Sequence, residues 1–279
     1  MSQITAADVA KLREMTGVGM MDCKKALAEA KGDLGAAVDI LRKKGRATAA
    51  VKSVREAREG SITQYIAPGG KLGVLLEVNS ESDFVARNEL FRAFCEEAAK
   101  RLAADANASL ETEREALVAK IRENIKIARY ARMEVVGNGL IAGYIHTGAK
   151  VGVLVEVGAG RAETAAKEEF KQLVKDITLQ IAAGHPHVVS REQVPANVVA
   201  KEKEIAAEQV KNKPPQAIAK IVEGKLEKFY QSYCLVDQGF VKRNSEVSLK
   251  EHVAQIAKQL GDEITIRRFV RFQVGESAA

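Results

Sequence analysis

The chain has 279 residues, which is long enough for two or three domains with a sizeable core. Its 43 lysines and arginines exceed its 37 acidic residues, but both signs are interspersed, which argues against a dedicated nucleic-acid surface. Three cysteines without a Cys-x-x-Cys spacing, and apolar runs far shorter than a membrane helix of about 20 residues, predict a cytoplasmic protein without a disulfide framework.

The first 45 residues predict three short helices. Thr5 is placed to cap the first helix and Asp33 the third, and a glycine follows each apolar stripe. We expect the third helix to stop at Gly45. Helices this short need tertiary contacts, so the three should pack into a small bundle over residues 1–45. Residues 46–59 are charged and poor in large apolar groups, which is typical of a linker or an exposed helix.

Two methionines follow the Thr-Gly-Val-Gly break after the first predicted helix. Met20 and Met21 lie beside flexible glycines, and methionine adapts well to irregular binding surfaces. Packing in the core of the bundle is the alternative, and the spacing alone leaves both open.

An internal repeat occupies the rest of the chain. Residues 60–78 align without gaps to residues 139–157, and eleven of the nineteen positions are identical. Farther along, Ile125 to Val135 reappear at an offset of 139, so the second copy carries 60 more residues than the first. We therefore expect two related α+β subdomains with antiparallel sheets, at 60–138 and 139–275.

The additional segment of the second copy predicts two helices. Apolar residues recur there at three- and four-residue spacing on both sides of Pro214-Pro215. Two consecutive prolines stop one helix and can start the next. The pattern indicates an inserted antiparallel helical hairpin at about 195–232.

The two copies differ most in one loop. At the repeat offset of 79, the first copy has Ser82-Asp83-Phe84-Val85 where the second has Arg161-Ala162-Glu163-Thr164. A duplicated scaffold that keeps its packing positions and changes one loop is typical of a functional loop. An aromatic side chain beside a carboxylate there can anchor a partner.

Two segments carry a resemblance to a known family. The stretches LREMTGVGMMDCKKAL at 12–27 and EVNSESDFVAR at 77–87 resemble the signatures of bacterial elongation factor Ts, the exchange-factor family that acts on elongation factor Tu. The family usually has threonine where this chain has Ser82. The resemblance implies an α+β fold with a ubiquitin-associated-like (UBA-like) helical domain at 1–45, two duplicated subdomains and a coiled-coil hairpin.

The resemblance also implies a function and a site. It implies binding to elongation factor Tu, both GDP-bound and nucleotide-free, and release of GDP as an Asp-Phe loop displaces the partner's Mg²⁺. By position that role falls on Ser82, Asp83, Phe84 and Val85. Further partner contacts are expected from Arg13, Met20 and Met21 in the first signature, and from His146.

The chain shows no site for chemistry of its own. It lacks a phosphate-binding Walker loop, and Gly69-Gly70-x-x-Gly73 is typical of a hairpin turn. No catalytic constellation is apparent, and His185-Pro186-His187 has no carboxylate or cysteine at a metal-ligand spacing. We therefore expect no enzyme activity, metal, cofactor or direct nucleotide binding.

An alternative function is an RNA- or ribosome-binding module. It would use the basic hairpin and the strands that carry Arg129, Arg132, Arg267, Arg268 and Arg271. Few aromatic residues interleave with these charges, which weighs against single-stranded RNA binding.

Overall fold

A computed structural model describes residues 4–276, except for the side chains at 215 and 216. The chain has an α+β fold in which helices combine with two three-stranded sheets. It divides into two compact units. Among the described residues, the first unit takes 4–63, 76–130 and 274–276, and the second takes 64–75 and 131–273.

Three helices form the N-terminal part of the first unit. They are α1 (Ala6–Thr16), α2 (Met20–Glu29) and α3 (Leu34–Lys52). The expected caps are confirmed: Thr5 forms a capping box with Asp8, and the Asp33 carboxylate accepts the Ala36 N–H at 2.7 Å. One apolar cluster holds the helices together: Val9, Leu12, Cys23, Ala26, Leu27, Ala37 and Leu41.

The expected stop of α3 at Gly45 is wrong, because the helix continues to Lys52. A Cβ added at Gly45 would come within 3.3 Å of the Ala119 Cβ on α6 (Glu111–Ile121). Glycine at this position therefore permits two helices to pack closely instead of ending one. Gly45 and Ala49 continue the buried stripe begun by Leu41, and Arg46 pairs with Glu115 at 3.1 Å. Residues 46–52 thus extend a helix that packs on α6.

The first copy of the repeat forms the sheet β1-β2-β3. The Gly69-Gly70 turn joins the first two strands, and the Ala67 N–H closes it on the Leu72 carbonyl at 2.9 Å, which confirms the expected hairpin turn. Three helices lie between the second and third strands. The bounds of these elements are β1 (Glu59–Ile66), β2 (Leu72–Ser80), α4 (Asp83–Ala86), α5 (Glu89–Ala104), α6 and β3 (Ile125–Glu134).

The second copy repeats this order of elements within the second unit. Its antiparallel sheet β4-β5-β6 pairs Leu140 with Val157 and Val155 with Phe269, with a register shift between Glu156 and Val157. The core lies between this sheet and two helices, around Phe170, Ile177 and Phe240. The bounds are β4 (Gly139–Ile145), β5 (Val151–Ala159), α7 (Ala162–Ala166), α8 (Glu168–Gly184), α11 (Leu249–Leu260) and β6 (Ile264–Gln273).

A buried ion pair recurs at the same place in both copies. The Glu77 carboxylate accepts a hydrogen bond of 2.8 Å from Arg129 Nε, and the Glu156 carboxylate accepts one of 2.7 Å from Arg268 Nε. Both carboxylates are almost fully buried. Burial opposes ionisation of Glu156, but the Val136 N–H and two guanidinium groups outweigh it and hold the pKa of this carboxyl below its usual range.

Two helices occupy the inserted segment, α9 (Ala196–Glu208) and α10 (Pro215–Tyr233), and they pack against each other. Arg191 fixes the base of α10: its guanidinium makes two hydrogen bonds of 2.8 Å to Glu227 and one of 2.9 Å to Asp237. It also lies 4.6 Å from the Tyr230 ring centroid. The hairpin is thereby tied to the body of its unit.

Candidate functional site: the Ser82–Val85 loop

The loop singled out by the repeat folds as one helical turn, α4, directly after β2. Ser82 is its N-cap: the Ser82 hydroxyl oxygen accepts the Val85 N–H at 3.4 Å. The same hydroxyl donates to Glu123 Oε1 at 2.7 Å, and the Ser82 N–H donates to Glu123 Oε2 at 2.9 Å. The N–H and the hydroxyl of Ser82 both therefore hold the turn in place.

The next two apolar side chains point in opposite directions. Phe84 is 81% exposed, whereas Val85 is buried at 8%. A side chain as apolar as phenylalanine gains nothing from this degree of exposure in the isolated protein. Val85 anchors the turn to the core.

Asp83 lies at the first position of the turn, with its side chain 43% exposed. Its carboxylate pairs with Arg87 at 3.0 Å, one turn later on the surface. An exposed pair of this kind stabilises a protein by less than about 1 kcal/mol. Asp83 can therefore exchange its partner at little cost.

The corresponding loop of the second copy serves a different purpose. The Arg161 guanidinium donates to the carbonyls of Leu260 and Gly261, at 3.2 and 2.9 Å, and so caps the C-terminal end of α11. Glu163 stands where the first copy has Phe84, and it is also exposed. The scaffold therefore folds without an aromatic residue at this position.

The N-terminal candidates all lie on the surface. Met20 and Met21 begin α2 and are 54% and 64% exposed, and Arg13 is also exposed. The structure thus excludes core packing for both methionines. Met15, which the sequence did not single out, is exposed on the neighbouring helix.

His146 belongs to the second unit, at the end of β4. It is exposed, and its Nδ1 lies 3.0 Å from the Tyr144 hydroxyl. This contact fixes the ring and leaves the remaining edge available to a partner.

The His185-Pro186-His187 segment takes part in an aromatic stack. The two imidazoles stack at 5.8 Å, and His187 stacks on Tyr233 at 4.4 Å between ring centroids. Within the part of the chain that the structure describes, no three metal-ligating side chains cluster together. Nor does any described helix have the length and apolar character needed to cross a membrane.

Sequence reasoning missed the residues that support the loop from outside it. Glu81 and Glu123 were not identified as candidates, although both bind backbone groups of the opposite segment. A signal was present: the 139-residue offset aligns Glu123 with Asp262, another carboxylate.

Comparison with known proteins identifies the family. The family model for elongation factor TS matches residues 81–276, which include the loop and most of both copies. The chain belongs to the elongation factor Ts family. It is 45% identical to elongation factor Ts of Symbiobacterium thermophilum, with 99% of this chain and 93% of the relative covered. It is 45% identical to that of Clostridioides difficile over 99% and 94%, and 43% identical to that of Nautilia profundicola over 99% and 94%.

Proposed function

We propose that this elongation factor Ts family member binds elongation factor Tu in the cytoplasm and accelerates release of GDP. The exposed Phe84 on a buttressed helical turn is the observation that carries the proposal. In this proposal Phe84 and Asp83 enter the nucleotide-binding domain of the partner, while Ser82 and Val85 hold the turn from behind.

The exchange reaction follows from thermodynamic linkage. If the factor binds the nucleotide-free partner more tightly than the loaded one, then nucleotide and factor weaken each other's binding by the same ratio. Burial of Phe84 in the complex contributes about 1.5–3 kcal/mol, or one to two decades in affinity. Nanomolar nucleotide binding is worth about 12 kcal/mol, so one phenylalanine cannot empty the site by itself.

Loss of the partner's Mg²⁺ supplies a second contribution. The metal is the largest local charge at a nucleotide phosphate site, so its departure weakens GDP binding strongly. Asp83 can form charge-assisted hydrogen bonds with N–H groups that the loop displaces, because its present partner Arg87 is solvent-exposed. Both residues therefore act on the partner's site without chemistry of their own.

The remaining surface anchors the complex in this proposal. Arg13, Met20 and Met21 would bind from the N-terminal helices, which we infer to be a UBA-like domain, and His146 from the second copy. We further propose subdomains at 60–138 and 139–275, with α9 and α10 forming a coiled-coil hairpin.

The RNA-binding alternative receives no support from its arginines, because all five have local partners. Arg129 pairs with Glu77, Arg132 with Glu134, and both Arg267 and Arg268 with Glu156, while Arg271 bonds Gln273. A guanidinium group engaged in this way is a poor phosphate ligand.

Release of fluorescent GDP from a bacterial elongation factor Tu tests the proposal. We expect substoichiometric amounts of the chain to accelerate release, and no binding of GDP to the chain alone. If a cognate partner released GDP at its unstimulated rate, the proposed function would be wrong. Crosslinked RNA or steeply salt-dependent RNA binding would favour the alternative.

A further inference from the structure

Two pairs of neighbouring residues, one at the start of α4 and one just before β3, exchange hydrogen bonds. Glu123 accepts from the N–H and the hydroxyl of Ser82, at 2.9 and 2.7 Å. In return, Glu81 Oε1 accepts the Asn124 N–H at 2.6 Å. The four residues Glu81, Ser82, Glu123 and Asn124 form what we name the carboxylate clamp. It joins the start of α4 to the segment that precedes β3.

The clamp is itself held in place. The Asn124 side-chain amide donates to the Arg55 carbonyl at 2.7 Å, and the Arg55 guanidinium lies 3.4 Å from Glu81. The Asn124 N–H, and to a smaller extent Arg55, holds the pKa of the Glu81 carboxyl below its usual range. The carboxylate is therefore ionised at neutral pH, which strengthens its bond to the backbone.

The second copy shows which of these hydrogen bonds the scaffold keeps when the loop sequence differs. There, Asp262 accepts the Arg161 N–H at 2.9 Å, the counterpart of the bond between Glu123 and Ser82. Arg161 has no hydroxyl, and its second contact with Asp262 is instead its guanidinium, 3.7 Å from the carboxylate. A carboxylate on the backbone N–H of the first loop residue is thus common to both copies, whereas a hydroxyl bond from that same residue belongs to the copy with the exposed Phe84.

We propose that Glu123 is a positioning residue for exchange, holding the α4 turn in the orientation that presents Phe84. This proposal rests on the proposed function. A helical turn of four residues is not stable by itself, and an exposed loop loses conformational freedom when it binds. By fixing the N-cap in the free protein, Glu123 reduces the ordering that binding would otherwise require.

The test compares exchange by Glu123→Gln, Glu123→Ala and Ser82→Ala with two conservative variants. Ser82→Thr keeps the hydroxyl and Glu123→Asp keeps the carboxylate, so both should retain most of the activity. We expect the other three to slow stimulated GDP release by about three- to tenfold. Glu113→Gln is the matched control, because Glu113 is another surface carboxylate, on α6, and pairs with Arg101 away from the loop. It should exchange normally.

A double-mutant cycle distinguishes positioning from a general structural effect. In a Phe84→Ala background, Glu123→Gln should slow release less than it does in the unaltered chain, because the ring it positions is gone and only Asp83 remains on the turn. Hydrogen exchange should show loss of protection at the Ser82 and Val85 amides in Glu123→Gln, with protection of the β2 amides unchanged.

The outcomes separate this proposal from the one on which it rests. Normal exchange by Glu123→Gln and Glu123→Ala, alongside slow exchange by Phe84→Ala, would overturn the positioning role alone. Additive losses in the double mutant, or unchanged protection at Ser82, would overturn it as well. Normal exchange by Phe84→Ala would overturn the role proposed for Phe84, and the positioning role with it, whereas the proposed exchange function fails only if the unaltered chain does not accelerate GDP release.

Discussion

Truncation of Phe84 is the perturbation whose effects on stability and on activity should differ most. Because the side chain is 81% exposed, Phe84→Ala removes few contacts from the folded state. Substitutions at such surface positions usually change the free energy of unfolding by less than about 0.5 kcal/mol. Phe91 provides the contrast within the same unit: it is fully buried, and Phe91→Ala should cost about 3–5 kcal/mol.

The effect on exchange should be large because the complex is expected to bury the ring. Loss of about 1.5–3 kcal/mol of burial corresponds to a decrease of roughly 10- to 100-fold in the rate of stimulated GDP release at limiting factor. Val136→Ala is the control, since Val136 is another exposed apolar residue, outside the loop. It should leave the rate unchanged.

The measurement is stopped-flow release of fluorescent GDP from elongation factor Tu, with thermal unfolding of the same preparations. Asp83→Ala should slow release in the same direction, and the double mutant should lose less than the sum of the singles, because both residues enter one site. If Phe84→Ala unfolded the chain as Phe91→Ala does, or released GDP at the normal rate, the reasoning from exposure to function would be refuted.

Three further predictions concern the surfaces and the buried charges. The double variant Met20→Ser with Met21→Ser should weaken the complex. A higher concentration of the factor should then be needed for half-maximal exchange, with the melting temperature unchanged. An unchanged half-maximal concentration would exclude both methionines from the interface. Glu156→Gln should lower the free energy of unfolding by about 1–3 kcal/mol in urea titrations, because it weakens the bonds to Arg268 and other donors; an unchanged midpoint would contradict this. The free energy of unfolding should decrease as the pH falls below about 6.5. Burial lowers the pKa of His252 in the folded chain, so the unfolded chain binds the proton more readily. The wild type, but not His252→Gln, should show this part of the loss in unfolding measured across pH 5–7.

Local signals were enough to predict the caps and the turns. The Thr5 capping box, the Asp33 cap and the Gly69-Gly70 turn depend on residues a few positions apart, so they can be recognised in the sequence. The repeat allowed predictions over longer sequence distances, because an identical residue at a fixed offset indicates an equivalent position in the fold.

Predictions were wrong, open or lacking where a feature depends on contacts between distant residues. Gly45 resembles a helix stop until α6 is known to lie against it. The sequence left Met20 open between a binding surface and the core of the bundle, and only the tertiary structure shows that it begins its helix and remains exposed. The clamp joins Ser82 to a residue 41 positions away, a pairing that helix and strand periodicity do not encode and that only the repeat offset indicates.

The second copy of the repeat provides an internal comparison for the function of the first. At equivalent positions Glu163 and Phe84 both face solvent, so the fold itself places this site in water. Glutamate is stable there because its charge is hydrated, whereas a phenylalanine ring in water forgoes the burial that normally stabilises it. Because the surrounding turn is anchored by Val85 and the carboxylate clamp, the ring is not needed to hold the loop. Its position is best explained by a surface that covers it in the complex, as the proposed function requires.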